Sequence, residues 1–309
     1  MRQRRSGLKR PTDFLSEVKT GTPIRITGRS ENKARELREM KYGILDYEII
    51  GEGEPILFIH GWGLDKTMMQ ASFESVFAVT GGYKRFYIDL PGMGKSEPGR
   101  VRDSDDILEL LHDFAVEIIG EKFIIVGQSY GGLLARGFVN RFGELISRMI
   151  LICPCVIPGV RQGRVEPLVA LERDEEFLST LTKEEYDSFT QMNVILTRPV
   201  WERYRKVLMP ALSRADWDFL NTRLEGSFSF DPDDMEPSDI QVLILCSKHD
   251  SEVGYKDQFD LMRIYPKATY CTIEDAGHNL LIEQPGLVVG IWMPWLYGER
   301  MNEVNVRNG

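Results

Sequence analysis

From Ile44 onward, short apolar runs alternate with longer stretches in which apolar residues recur at helical spacing. Residues 44–50 read as a strand, and Gly51-Glu52-Gly53 as the turn that ends it. Residues 55–60 read as a strand of the buried type that runs into Gly61-Trp62-Gly63. Residues 85–89 form another, ending in Leu90-Pro91-Gly92. Over 105–119 the apolar positions Ile107, Leu108, Leu111, Phe114, Ala115 and Ile118 share one helix face. Ser104 stands at the N-cap position and Gly120 at the C-cap. Residues 122–127 are a strand that turns at once into a helix over 131–142, and 148–153, 241–246 and 268–273 are further strands. These runs are continuously apolar, not alternating. That predicts an α/β protein with a mostly parallel sheet covered by helices on both faces.

Residues 156–238 break this rhythm. Helical patterns over 178–192, 200–208 and 212–224 are punctuated by Pro199, Pro210, Pro232 and Pro237. The pattern predicts a core of residues 41–155 and 239–300, with 156–238 inserted as a helical cap. Such a segment sits over the carboxyl ends of the strands, where open α/β sheets bind ligands.

Composition narrows the field. The chain has 309 residues, 42% hydrophobic and 28% charged, an ordinary globular balance. Its net charge of −9 argues against a nucleic-acid partner. No apolar run is long enough for a membrane helix. The charge is uneven, because residues 1–41 hold 12 Lys and Arg against 5 Asp and Glu. Residues 1–40 therefore read as a basic, flexible extension. An address or anionic-surface tail is a second reading, and a natural start at Met40 a third. Cys153, Cys155, Cys246 and Cys271 form no C-x-x-C pair, and no His lies at zinc-ligand spacing from Cys153 and Cys155. Buried free thiols and a cytoplasmic location are expected.

The chemistry concentrates at Gly127-Gln128-Ser129-Tyr130-Gly131, a G-x-S-x-G turn between a strand and a helix. Such a turn strains the serine backbone and exposes its hydroxyl, while the glycines let two backbone segments approach. A hydroxyl needs an adjacent base. Of four histidines, His278 follows the last strand and returns to the same sheet end as Ser129. His112 reads as a helix residue and His249 as a loop residue. Asp250, just past the strand over 241–246, is placed to orient His278 and stabilise the imidazolium. A helix cap is its alternative role, and Asp257 and Asp275 are its competitors. The order Ser129, Asp250, His278 is the one expected for this architecture. The backbone amides of Trp62 and Tyr130 are the candidate oxyanion donors. His60, Gly61 and Gly63 support their loop. A core packing role is the alternative for Trp62.

Together, His60-Gly61-Trp62-Gly63, Asp89-Leu90-Pro91-Gly92-Met93-Gly94-Lys95-Ser96, Gly127 to Gly132, Asp250 and Gly277-His278 resemble the α/β-hydrolase fold serine hydrolases over about residues 42–297. The resemblance implies eight mostly parallel strands, a helical cap between the sixth and seventh, no cofactor and no metal. Gln128 stands where His often precedes the serine. Ser129 itself excludes the Asp-nucleophile chemistry of dehalogenases and epoxide hydrolases. The expected activity is hydrolysis of small to medium carboxylic esters through an acyl-enzyme. Met192, Ile195, Trp201, Tyr204, Leu208 and Trp217 are the candidate pocket residues, with packing as their alternative. The same turn also resembles proline-iminopeptidase-like enzymes, for which Glu172, Asp174, Glu175 and Glu176 would have to hold a free amino group. Carbon–carbon bond hydrolases and lactonases share the apparatus, and a ligand-binding scaffold is the non-enzymatic alternative. The expected partner is a small ester, with no nucleic acid and no membrane, and the expected state a monomer or homodimer.

Overall fold

The computed structural model describes residues 45–159 and 164–307, with side chains to residue 298. The basic extension and Met40 lie outside the described residues. The chain opens with β1 (Tyr47–Ile50) and β2 (Glu54–Ile59), followed by helix α1 (Lys66–Thr80) and β3 (Tyr83–Ile88). Helix α2 (Ser104–Phe114) widens into a π turn over Ala115–Ile119 and stops at Gly120, whose φ of 74° only glycine takes without strain. Asp103, not Ser104, caps α2, because its carboxylate accepts the Asp106 amide at 2.8 Å. The Ser104 hydroxyl is turned inward instead, onto Tyr130 Oη at 2.7 Å.

Strand β4 (Phe123–Gln128) runs into α3 (Tyr130–Phe142), and β5 (Ile146–Ile152) follows. Next come the two-residue strands β6 (Glu172–Arg173) and β7 (Ile195–Leu196) and helices α4 (Glu175–Leu178), α5 (Lys183–Thr190), α6 (Arg198–Arg214) and α7 (Trp217–Thr222). The chain then re-enters the sheet as β8 (Gln241–Ser247), α8 (Lys256–Asp260) and β9 (Thr269–Ile273), and ends in α9 (Leu280–Glu283) and α10 (Pro285–Arg307).

The main sheet has seven strands among the described residues, in the order β1-β3-β2-β4-β5-β8-β9. The expectation of eight is one strand too many for them. Only β1 runs antiparallel. Successive side chains divide between the two faces. Leu57 and Ile59 pack with α2 and α3 residues such as Leu111 and Phe138. Ile56 and Phe58 pack with Phe73 of α1 and Trp292 of α10. Burial on both faces explains the continuous apolar runs. Because β5 and β8 are neighbours, everything between residues 152 and 241 leaves and re-enters at one place in the sheet.

Candidate active site

The site is built from loops at the carboxyl ends of four parallel strands, β2, β4, β8 and β9. Ser129 caps the junction of β4 and α3 with φ 53° and ψ −115°. A non-glycine residue at positive φ costs on the order of 1–3 kcal/mol, and the surroundings must hold it there. They do so through the Ser129 amide on Ile152 O at 3.0 Å, and through its carbonyl, which accepts Gly132 and Cys155 amides at 2.9 and 3.0 Å. A Cβ on Gly131 would run into the Ile59 carbonyl, and one on Gly127 into Gly131 O. Gly131 thus lets the turn approach β2, and Gly127 lets β4 approach the first turn of α3.

His278 stands in the loop after β9, and its ring lies between the other two groups. Its Nε2 is 2.9 Å from Ser129 Oγ and its Nδ1 2.9 Å from Asp250 Oδ2. A carboxylate only accepts, so Nδ1–H donates to Asp250 and Nε2 is left free to accept from the serine hydroxyl. Asp250 is fully buried. Its other oxygen accepts the Glu252 and Val253 amides at 2.9 and 3.0 Å. Asp250 therefore does not cap the following helix, which starts only at Lys256; one oxygen closes the turn over Glu252 and Val253 and the other meets the histidine. Asp257 is paired with Arg164 instead. His112 stacks on Phe142, 4.1 Å between centroids, and neither His112 nor His249 is among the residues lining the cavity at Ser129.

His60 is wholly buried and braces the loop after β2. Its Nε2 accepts the Leu90 amide at 3.0 Å, and its Nδ1–H donates to Gly61 O at 2.8 Å. Burial pushes its pKa below the ordinary histidine value, against the raising effect of Asp89. The loop places Trp62 edge-on to Tyr130, 5.0 Å between ring centroids. Neither the Trp62 nor the Tyr130 amide donates to an acceptor among the described residues. The Tyr130 amide lies at the start of α3, where the helix dipole favours negative charge.

Ser129 and His278 open onto a cavity of about 780 Å³. Met192, Tyr204, Leu208 and Trp217 line it, as the sequence suggested. Trp201 and Ile195 do not. Trp201 is packed against Phe189 and Phe177 and stacked with Tyr204, which makes it core rather than pocket wall. The carboxylates proposed for an amino group are elsewhere too. Asp174 caps α4, Glu175 pairs with Arg173, and Glu172 and Glu176 are exposed. The cavity wall instead carries Glu225 and Glu252, with Gln128 beside the serine. Of these, only Gln128 stood out in the sequence, and Glu225 and Glu252 were passed over. For Gln128 the signal was its place beside Ser129 in the G-x-S-x-G turn, while Glu225 and Glu252 sit in loops without periodicity. The thiols are free. Cys153 and Cys246 are buried, and burial raises both pKa values well above the usual thiol range.

Residues 56–291 match the model of the alpha/beta hydrolase family. The chain belongs to that family. Among curated relatives, this alpha/beta hydrolase is 31% identical over 113 residues to a pimeloyl-[acyl-carrier protein] methyl ester esterase of Shewanella woodyi, covering 36% of this chain and 41% of that one. The match therefore spans about two fifths of that relative's length. Over 244 residues it is 24% identical to the 2-hydroxy-6-oxo-6-(2'-aminophenyl)hexa-2,4-dienoic acid hydrolase of Metapseudomonas resinovorans, 76% of this chain and 81% of the relative. Among solved structures, an alpha/beta superfamily hydrolase from Oenococcus oeni PSU-1 superposes with a TM-score of 0.74 at 30% identity, covering 82% of this chain and 95% of that one. An esterase from Thermogutta terrifontis shares the fold at a TM-score of 0.57 and 23% identity, over 82% of this chain and 93% of that one. The protein is a hydrolase-family enzyme whose relatives include esterases.

Proposed function

We propose that the enzyme hydrolyses small to medium carboxylic esters through an acyl-enzyme. The observation that carries this reading is the unbroken chain from Asp250 through His278 to Ser129, with both hydrogen bonds at 2.9 Å. Ser129 Oγ attacks the ester carbonyl as its proton passes to His278 Nε2. The carbonyl oxygen becomes an oxyanion, received by the Trp62 and Tyr130 amides. Losing one such donor costs about 2.7–4 kcal/mol in related sites. The intermediate collapses, the C–O bond to the alcohol breaks, and His278 returns the proton to the leaving alkoxide. Water, deprotonated by the same nitrogen, then releases the acid and restores Ser129.

The wall of the cavity supports an uncharged ester. Leu208, Leu212, Leu220 and Trp217 supply apolar surface, while Glu225 and Glu252 repel a free carboxylate on the substrate. That disfavours a dienoic acid of the kind hydrolysed by the M. resinovorans relative. The same two carboxylates support one second reading, an aminopeptidase that holds a free amino group. A p-nitrophenyl ester series from acetate to dodecanoate, run beside aminoacyl-p-nitroanilides on wild type and Ser129→Ala, separates the two. Ester turnover with one preferred chain length, lost in Ser129→Ala, is the expected result. Cleavage of the anilides alone would replace it with the peptidase reading.

A further inference from the structure

His278 sits on a loop, and an aromatic ring on a loop needs something to fix it. Asp250 fixes the ring's tautomer and rotation, but not the backbone that carries it. The backbone is held by a second carboxylate. Glu283 is 4% exposed and belongs to α9, five residues beyond His278. Its Oε2 accepts the amide of Gly277, the residue before His278, at 2.5 Å. Its Oε1 accepts the Val194 amide at 2.6 Å and the Ile195 amide at 3.3 Å. Each oxygen thus grips a different segment. One is the loop that bears the histidine, and the other is Val194 with the first residue of β7, within the segment inserted between β5 and β8.

Independent contacts join the same two segments. Asn279 Nδ2 donates to Asn193 Oδ1 at 3.2 Å, and Asn193 Nδ2 donates to Phe189 O at 2.7 Å. A Cβ on Gly277 would sit 3.0 Å from Val194 Cγ1 and 3.3 Å from Met192 O, so the loop is pressed against the inserted segment. Met192 in turn lines the cavity. A carboxylate buried at this place raises the cost of its own charge, and three amide donors offset that cost.

Resting on the assignment of Ser129 and His278 above, we infer that Glu283 is a positioning residue: by holding the Gly277 and Val194 amides on one rigid carboxylate, it fixes His278 relative to Ser129 and locks the base to the pocket wall. Glutamine at this position keeps the size of the side chain. It must, however, turn an NH2 toward either the Gly277 amide or the Val194 and Ile195 amides, so one segment is released. A displacement of about 1 Å at a reacting group can cost on the order of 100-fold in rate.

The test uses an alkyl fluorophosphonate, which needs no knowledge of the natural substrate. Ser129 Oγ forms the P–O bond, fluoride leaves, and His278 accepts the hydroxyl proton. The labelling rate therefore reads how well base and nucleophile are aligned. Full-length wild type, Ser129→Ala, Glu283→Gln and Glu283→Asp are compared, with peptide mass analysis of the labelled site. Loss of labelling in Ser129→Ala secures the nucleophile first. Labelling of Ser129→Ala at the wild-type rate would remove the nucleophile assignment, and this inference with it. With the nucleophile secured, folded Glu283→Gln is expected to label ten- to a hundredfold more slowly. Its kcat on a p-nitrophenyl ester should fall in parallel while KM stays within threefold, and Glu283→Asp should recover part of the rate. A labelling rate within twofold of wild type in Glu283→Gln, or a change confined to KM, would overturn the positioning role. Failure of both variants to fold would also overturn it, leaving Glu283 as a folding element only.

Discussion

A single carboxylate with two occupied oxygens makes Asp250 unusually testable. In Asp250→Asn the Oδ1 position keeps the Glu252 and Val253 amides, so the amide nitrogen must face His278 Nδ1. The ring then carries its proton on Nε2, toward Ser129, where it accepts nothing. We expect kcat to drop by about 10⁴-fold, as when a triad aspartate is amidated elsewhere, with the urea midpoint little changed. Steady-state kinetics beside a denaturation curve checks both. His60 titrates in the opposite sense to a paired histidine. Burial lowers its pKa in the folded protein, whereas the unfolded chain takes up the proton near pH 6.5. Below about pH 6.5 the unfolded state therefore binds more protons, and stability falls as pH falls, by up to about 1.4 kcal/mol per pH unit for one group. Urea midpoints measured from pH 7.5 to 5 should decline in wild type and decline less in His60→Gln.

At the scale of elements, two junctions carry the architecture. The first is the approach of α3 to β2. Gly131→Ala sets a methyl group against the Ile59 and His60 carbonyls, backbone that has no other rotamer to adopt. A cost of about 3 kcal/mol or more is expected, at the upper end for overpacking, read by calorimetry or urea unfolding. The second is Arg136 of α3, wholly buried and ion-paired to Asp233. Asp233→Ala strands its guanidinium, and breaking a buried pair from one side costs about 3–5 kcal/mol.

Elements like these were legible where two signals coincided. The Ser129 turn had a motif and an apolar strand before it, and His278 and Asp250 each followed such a strand. Trp201 was misplaced because periodicity gives a shared face, not what covers it. Trp201, Tyr204 and Leu208 lie along one side of α6, yet only the latter two reach the cavity, while the first turn of the helix packs on Phe177 and Phe189. Glu283 left only a weak trace, a charge closing the apolar run Leu280-Leu281-Ile282. Its role depends on Val194, nearly ninety residues upstream, and no local pattern encodes that contact. The π turn at Ala115–Ile119 has no sequence period of its own over five residues.

For the molecule as a whole, the proposed ester hydrolysis predicts that charge at the cavity wall, carried by Glu225 and Glu252, selects among substrates. Glu225→Gln combined with Glu252→Gln should raise kcat/KM for a p-nitrophenyl hemisuccinate about three- to tenfold relative to the butyrate, by removing repulsion toward a carboxylate. An unchanged ratio would mean that both carboxylates lie outside the path of the acyl chain. The adjacency of β5 and β8 has a consequence of another kind, in time rather than in chemistry. These strands pair residue for residue, Arg148 with Gln241 through Ile152 with Leu245, although all of residues 153–240 intervene. The nascent chain emerges with β2 to β5 able to associate early, while β8 and β9, which bring Asp250 and the loop before His278, wait for a long loop to close. Non-local pairing of this sort slows folding. Refolding followed by tryptophan fluorescence should therefore recover bulk structure before it recovers activity, with the Ser129 turn formed ahead of the arrival of His278, its proposed base.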